Sequence, residues 1–244
     1  MKSLQLQLLE NGFFNLDKGF LVYGKYHGRI YEAALKPLLI LSGEERILVD
    51  SGIGALPDPY RRFYSVKQCT EHLLVSQLQN CRLRPEDITV VINTHLHFDH
   101  CGNNKLFKNA KFYVQKEELR YAFSPDRFQK NAYLRDCIDR DFDHIETKGD
   151  CRLTEEVSMI STPGHSPGHQ SVVVRNDRNT FVYCGDAAPL KENLESLNIP
   201  GVLYHAEDAL HSIERLRSIK DAIFIFSHDH EQLTLPTSNQ KCLH

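Results

Sequence analysis

No stretch of the chain approaches the roughly 18 consecutive apolar residues of a membrane span. The N-terminus, Met1-Lys2-Ser3-Leu4-Gln5-Leu6, alternates polar and apolar residues instead of building the continuous apolar region of a signal peptide. The expected location is therefore the cytoplasm. The seven cysteines are odd in number, scattered, and contain no Cys-x-x-Cys pair, which argues against a disulfide framework. Charge of neither sign dominates: 29 Lys and Arg stand against 32 Asp and Glu, a net charge of −3. That balance excludes a general nucleic-acid-binding surface, and short basic clusters such as Arg61-Arg62 read as solvated surface. There is no Gly-x-Ser-x-Gly turn to present a serine nucleophile. Neither an internal repeat nor a Pro/Gly/Ser-rich linker divides the chain, so residues 1–244 are expected to form one domain, as a monomer or homodimer.

What is present is an ordinary globular composition, 41% hydrophobic and 25% charged over 244 residues. A chain of this length buries roughly three-quarters of the surface it would expose unfolded, so it needs no metal to make a core. Any metal is then functional. Alternation predicts a strand over 4–9, and 38–41 and 46–49 pair across Ser42-Gly43-Glu44-Glu45. Val66, Leu73, Leu74 and Leu78 recur near helical spacing and predict a helix over 65–80. Residues 88–93 read as a buried strand, 111–115 as another, and 116–140 as a polar, partly helical excursion. Strands are expected at 157–161, 171–175, 180–183 and 222–226, with a helix at 207–219. Elements mixed in this way predict an α/β sandwich.

The chemistry concentrates in His95-Leu96-His97-Phe98-Asp99-His100, directly after a buried strand. Four of these six residues are metal-ligand types. In extended chain, side chains two apart share a face, so His95 and His97 can reach one ion. After Phe98 the chain turns, and Asp99 and His100 can face a second. Imidazole suits zinc, iron, manganese or copper, and carboxylate compensates dication charge. Three more residues sit at expected strand ends or the loops after them: His165 in Thr162-Pro163-Gly164-His165, Asp186 in Cys184-Gly185-Asp186, and His228 in Phe226-Ser227-His228. Strand ends are where open sheets present functional groups.

Together these segments carry a resemblance. Thr94-His95-Leu96-His97-Phe98-Asp99-His100 resembles the HxHxDH signature of the metallo-β-lactamase superfamily, and Asp50-Ser51-Gly52 resembles its upstream Asp-x-Gly turn. The segments TPGHSPGHQS at 162–171, PGVLYHAEDALHSIERL at 200–216 and SHDHEQ at 227–232 resemble the N-acyl homoserine lactonase branch. So does Leu83-x-Pro85-Glu86-Asp87-Ile88. The resemblance covers nearly the whole chain and implies an αβ/βα four-layer sandwich. It implies that His95, His97 and His165 hold one divalent ion, that Asp99, His100 and His228 hold another, and that Asp186 bridges them. Zinc is the expected metal, with iron, manganese or cobalt as alternatives. Asp50 would partner a ligand histidine, and His169 would lie near the site unless it is a structural core histidine. His205 and His230 match positions flanking the site.

The implied reaction is hydrolysis of a lactone or other ester by water acidified between two dications, with Asp99 carrying the proton to the leaving oxygen. Neither nucleic acid nor membrane is expected as a partner. Many acyl homoserine lactonases carry a tyrosine three residues after the bridging aspartate. Here that position is Pro189, which has no hydroxyl; Tyr204 or Tyr23 would have to substitute. Phe13, Phe14, Phe20, Leu21, Tyr23 and the 116–140 excursion are candidates for an acyl-chain groove or, equally, for core. Cys184 and Cys101 read as buried, inert thiols. The same metal set also suits a bicyclic pyridoxolactone-type substrate or a glyoxalase II-like thioesterase; most such thioesterases are expected to carry a histidine where this chain has Leu96. A persulfide dioxygenase-like enzyme would instead hold a single iron, with Asp99 and His228 not holding a second metal.

Overall fold

The run Leu38-Leu39-Ile40-Leu41 is apolar at each position because its strand packs on both faces. Leu38 and Ile40 point toward a second sheet, while Leu39 and Leu41 point toward a helix. Ile47, Leu48 and Val49 repeat the pattern on the next strand. In the structure, a computed structural model, residues 4–139 and 141–235 are described. Residues 1–3 and 236–244 at the ends of the expected domain, and residue 140 at the end of the expected excursion, lie outside the described residues.

The first sheet has six strands in the order β1 (Leu4–Leu8), β4 (Leu38–Ser42), β5 (Glu45–Val49), β7 (Val90–Ile92), β8 (Lys111–Gln115) and β9 (His144–Thr147). The second has five: β10 (Cys151–Arg152), β11 (Val157–Ser161), β12 (Gln170–Arg175), β13 (Thr180–Tyr183) and β14 (Ala222–Ile225). A small third sheet joins β2 (Phe13–Asp17), β3 (Ile30–Ala34) and β6 (Ser65–Lys67). The helices are α1 (Asp58–Phe63), α2 (Leu74–Asn80), α3 (Phe98–Cys101), α4 (Lys116–Phe123), α5 (Lys191–Ser196) and α6 (Ala206–Arg217).

Between the two large sheets lies one core. Leu6, Leu38, Ile40, Ile47, Val49 and Ile92 from one side meet Val157, Met159, Val172, Val174 and Ile225 from the other. Leu74 and Leu78 of α2 cover the outer face of the first sheet through Leu39, Leu48 and Val91. Leu194 of α5 with Ile213 and Leu216 of α6 covers Val173 and Val182 on the second. The layers therefore run helix, sheet, sheet, helix, which is the four-layer αβ/βα sandwich.

The helix expected over 65–80 is not continuous. Ser65–Lys67 instead pairs with β2 as β6, Thr70–His72 makes one 3-10 turn, and only Leu74–Asn80 is α-helical. Of the four residues that carried the spacing, Leu74 and Leu78 are buried but Leu73 is exposed. Val66 packs beside Phe14 in a separate cluster. A β-branched residue paired across a sheet competes here against helix propensity and wins.

Strand direction places the site. β5 and β7 are parallel neighbours, and β13 and β14 are parallel neighbours. β11 runs antiparallel to β12, which runs antiparallel to β13, so β11 shares the direction of β13. Asp50, the 93–100 segment, His165, Asp186 and His228 all follow C-terminal ends of these strands, and the two sheets deliver them to a common rim.

Candidate metal centre

His97 keeps an extended backbone (φ −68°, ψ 149°) before α3 begins, so His95 and His97 remain on one side of the chain. The single helical turn of α3 then swings Asp99 and His100 to a second position. The structure brings three groups of ligand atoms to within 4.8 Å: His95, His97 and His165; Asp99, His100 and His228; and His95, His100 and Asp186. Asp186 faces both sides. Its Oδ2 lies 3.4 Å from His165 Nε2, while its Oδ1 lies 3.3 Å from His100 Nε2 and 3.3 Å from His228 Nε2. Asp99 Oδ2 stands farther off, 3.8 Å from His100 Nε2 and 3.7 Å from His228 Nε2, and its side chain is the most exposed of the seven, at 13%.

Whether these residues suit metal ions can be read from the nitrogens that face away from the centre. His165 Nδ1 lies 2.9 Å from the Val202 carbonyl and His228 Nδ1 2.9 Å from the Ala34 carbonyl. A carbonyl only accepts, so each Nδ1 carries a proton and Nε2 is the nitrogen left to face the centre. His100 Nδ1 meets Asp50 Oδ2 at 2.7 Å with the same consequence. His95 Nδ1 meets Thr94 Oγ1 at 3.0 Å, and that hydroxyl in turn donates to Asp50 Oδ2 at 2.8 Å. His95 Nε2 is buried and has no hydrogen-bond partner. A buried imidazole nitrogen with a free lone pair among three other inward-facing imidazoles is costly unless a cation occupies the space between them. The donor set fits two divalent ions. His97 reverses the pattern: Nδ1 faces His165 Nε2 at 3.0 Å, and its own Nε2 is the buried atom left unpartnered.

Electrostatics follow from this crowding. Burial, reinforced by neighbouring imidazoles, holds His95 and His97 well below the ordinary histidine range, and burial lowers His165 as well. Burial also acts against charge on His100 and His228. There the carboxylates prevail, chiefly Asp186, and raise both. Asp186 is itself held well below the usual carboxylate range because His228, His100 and His165 outweigh its burial.

The remaining sequence-derived candidates divide clearly. Asp50 sits at the centre of the support, accepting from Thr94 N at 2.7 Å and from His100 Nδ1. It does so with a left-handed backbone, φ +57°, an uncommon conformation for a residue other than glycine. His169 is fully buried and pushed down to about 3 by burial. Its Nε2 accepts from Asp186 N at 2.9 Å while Nδ1 meets Thr162 Oγ1 at 2.9 Å, so it braces the loop that carries Asp186. Gly185 makes that contact possible, since a Cβ there would stand 2.6 Å from His169 Nε2. His230 is drawn away, stacked on Tyr31 and bonded to the Glu32 carbonyl. His205 is exposed and caps α6. Cys101 and Cys184 are fully buried, and burial pushes both thiols up.

Pro189 contributes its carbonyl, accepting from His228 N at 3.1 Å. Of the tyrosines weighed as replacements, Tyr204 lies edge-on to Tyr121, which lies edge-on to Tyr133, which lies edge-on to His97 at 4.8 Å. Tyr23 is 55% exposed and Phe20 56% exposed. Phe14 and Leu21 are core, Phe14 packing against Phe98 at 6.0 Å.

Three supporting residues were not anticipated. Thr94 is signalled only by its place before His95. Ser227 donates to Asp186 Oδ1 at 2.7 Å and directly precedes His228. Glu118 is a fully buried carboxylate in α4, beside the buried residues Leu119 and Ala122. A glutamate on the apolar face of a helix is a readable signal, since burial of a carboxylate requires dedicated partners.

The chain is 35% identical over 170 residues to the N-acyl homoserine lactonase of Bacillus cereus, covering 68% of this chain and 66% of that protein, just under two thirds of its length. It is 29% identical over 252 residues to the N-acyl homoserine lactonase AttM of Rhizobium radiobacter, covering 94% of each. A solved structure of an N-acyl homoserine lactone hydrolase, with the product N-hexanoyl-L-homoserine bound at its catalytic metal centre, superposes with a TM-score of 0.82. That pair is 29% identical and covers 93% of this chain and 94% of the other. A family model described as the metallo-beta-lactamase superfamily matches residues 38–228, a span that holds all seven candidate ligands. The chain belongs to the metallo-β-lactamase superfamily.

Proposed function

We propose that this protein hydrolyses the ring ester of N-acyl homoserine lactones, a quorum-quenching activity, at a centre of two zinc ions. In this reading one ion is held by His95, His97 and His165, the other by Asp99, His100 and His228, with Asp186 shared. The observation that carries it is the pair of ligand groups meeting at Asp186, with imidazole tautomers already set for coordination. The substrate is supported by the names of the aligned relatives and by the segment TPGHSPGHQS. Iron, manganese or cobalt would suit the same donors, since availability decides among them in histidine-carboxylate sites. The protein acts as one cytoplasmic domain, monomer or homodimer, on a small molecule, with neither nucleic acid nor membrane as partner.

When bound, two dications supply an acidified water as nucleophile and a Lewis acid for the ester carbonyl. The chain's residues do the rest. Asp99, the ligand open to the rim, takes the proton released as water attacks the carbonyl carbon. It returns that proton to the ring oxygen as the C–O bond breaks. Asp50, Thr94 and the Ala34 and Val202 carbonyls hold four imidazoles in one tautomer throughout. Tyr133, Tyr121 and Tyr204 lead outward from His97, and with exposed Phe20 and Tyr23 they offer apolar surface to an acyl chain.

Ring opening converts a neutral lactone into a carboxylate and releases one proton. The test is acidification of a weakly buffered solution of zinc-loaded protein on adding N-hexanoyl homoserine lactone, with His97→Ala as control. Stoichiometric proton release by the wild type alone is expected. Two bound ions without proton release would overturn the substrate. Pro189, which presents a carbonyl where a hydroxyl was expected, would then direct the search to bicyclic lactones and thioesters.

A further inference from the structure

We propose that Glu118 is a positioning residue that sets the spacing of His97 and His165, and with it the affinity of one of the two ion positions. This rests on the assignment of His95, His97 and His165 to a common ion. Two loops supply those histidines: the one after β7 carries His95 and His97, and the one between β11 and β12 carries His165. Backbone bonding joins the loops at one end, where Gln170 N donates to the Thr94 carbonyl at 2.8 Å. Beyond that point the joint is Glu118. Its Oε1 accepts from Leu96 N, between His95 and His97, at 2.9 Å. Its Oε2 accepts from Gly168 N at 3.1 Å and from Ser166 Oγ, next to His165, at 2.7 Å.

The side chain is completely buried, and all of these partners are donors from the backbone or from hydroxyls. Tyr133 completes the set, donating to Oε1 at 3.1 Å while its ring packs against His97. The fit is close on the loop side as well: a Cβ at Gly168 would stand 2.3 Å from Glu118 N, so α4 seats directly on the His165 loop. Each carboxyl oxygen faces one backbone N–H that has to be satisfied. Glutamine has nearly the same shape but only one acceptor arm. Its amide NH2 would confront either Leu96 N–H or Gly168 N–H and push that loop away from the other.

The experiment uses the full chain loaded with zinc, with the two dissociation constants read by competition against a chromophoric chelator. Glu118→Gln is expected to raise one constant tenfold to a hundredfold, the range for residues that orient metal ligands, and to leave the other within about threefold. The raised constant is identified by His97→Ala, which disables the same position. Val172→Ala, in the core between the sheets, controls for lost stability and should leave both constants at wild-type values. Equal constants in Glu118→Gln and wild type would overturn the proposal, as would the same selective loss in Val172→Ala. Should Glu118→Gln fail to fold, Ser166→Ala removes only the 2.7 Å bond and is expected to weaken the same position severalfold. Unchanged constants there would also refute it. A wild-type chain that binds fewer than two ions would instead remove the ligand assignment beneath the proposal.

Discussion

Replacing Asp50 with asparagine isolates the chemistry of a single carboxylate. The backbone there is left-handed, φ +57°, a conformation that asparagine tolerates at least as well as aspartate, so the turn itself should survive. The loss falls on hydrogen bonding. Asp50 Oδ1 accepts from Thr94 N at 2.7 Å, and Oδ2 accepts from His100 Nδ1 at 2.7 Å and from Thr94 Oγ1 at 2.8 Å. An amide can accept on one arm only. If its NH2 turns toward Thr94 N, two donors collide in a fully buried place. If it turns toward His100, the imidazole must shed its Nδ1 proton and carry it on Nε2, the nitrogen that faces Asp186 and His228.

Either outcome weakens the ion position that includes His100. Residues in this supporting role typically contribute tenfold to a hundredfold in metal affinity, equivalent to about 1.4–2.7 kcal/mol. The metal-free protein should lose stability too, by about 1.5–3 kcal/mol for a hydrogen bond to a charged group. Chelator competition measures the first effect and urea denaturation of the metal-free protein the second. Asp50→Asn with wild-type zinc constants would refute the reasoning, because it would mean the His100 tautomer does not depend on this carboxylate.

Gly185→Ala should destabilise by more than 1 kcal/mol, since a left-handed residue gains a Cβ that meets His169 Nε2 at 2.6 Å. Thermal melting that stays at the wild-type value would contradict that contact. Chelation should leave the chain folded with an unchanged far-ultraviolet dichroism spectrum, because the core between the sheets contains no ligand; loss of the spectrum on adding a chelator would show a metal-dependent fold. Lys36 is buried with its ammonium on the Asp229 and Gln232 carbonyls, and burial lowers it to about 8 against the attraction of Asp229. The unfolded chain therefore binds the extra proton between pH 8 and 10.5, and this group's contribution to stability rises with pH across that window, by on the order of 3 kcal/mol. The raised thiols Cys101 and Cys184 act in the opposite sense, so the test is the difference in denaturation between wild type and Lys36→Met, which should change with pH only above about 8.

The sandwich was legible wherever a strand is buried on both faces, because a run such as Leu38-Leu39-Ile40-Leu41 admits few other environments. The ligand residues were legible because side-chain period alone puts His95 with His97 and turns Asp99 and His100 elsewhere. The third sheet was not legible. Its strand β2 pairs Phe13–Asp17 with Ile30–Ala34 and Ser65–Lys67, and neither register leaves a local mark. Phe13 and Phe14 looked alike in sequence, yet Phe14 is buried against Tyr64 and Phe98 while Phe13 reaches His72. The same nonlocal pairing captured Val66 and broke the expected helix. The burial of Glu118 is nonlocal in the same way: its partners lie 15, 22 and 48–50 residues away, so only the folded chain shows why a carboxylate lies inside.

The origin of the ligands bears on how the centre and the fold depend on each other. His95, His97, Asp99 and His100 follow a strand of the first sheet, whereas His165, Asp186 and His228 follow strands of the second. In the proposed assignment each ion position draws on both, so the ions would tie together two sheets that already share a packed core. The packing between sheets is apolar and nondirectional, and such contacts leave the angles at individual polar atoms unspecified. Coordination and its hydrogen-bonded supports do not. Asp50 spans β5 and the segment after β7, within the first sheet, while Glu118 and the Gln170 to Thr94 bond span the loops of both. The core therefore brings the two rims near one another, and these few polar residues determine where they stop. A substitution among them should alter metal binding as well as stability, whereas a substitution in the core should alter stability and leave metal binding nearly unchanged.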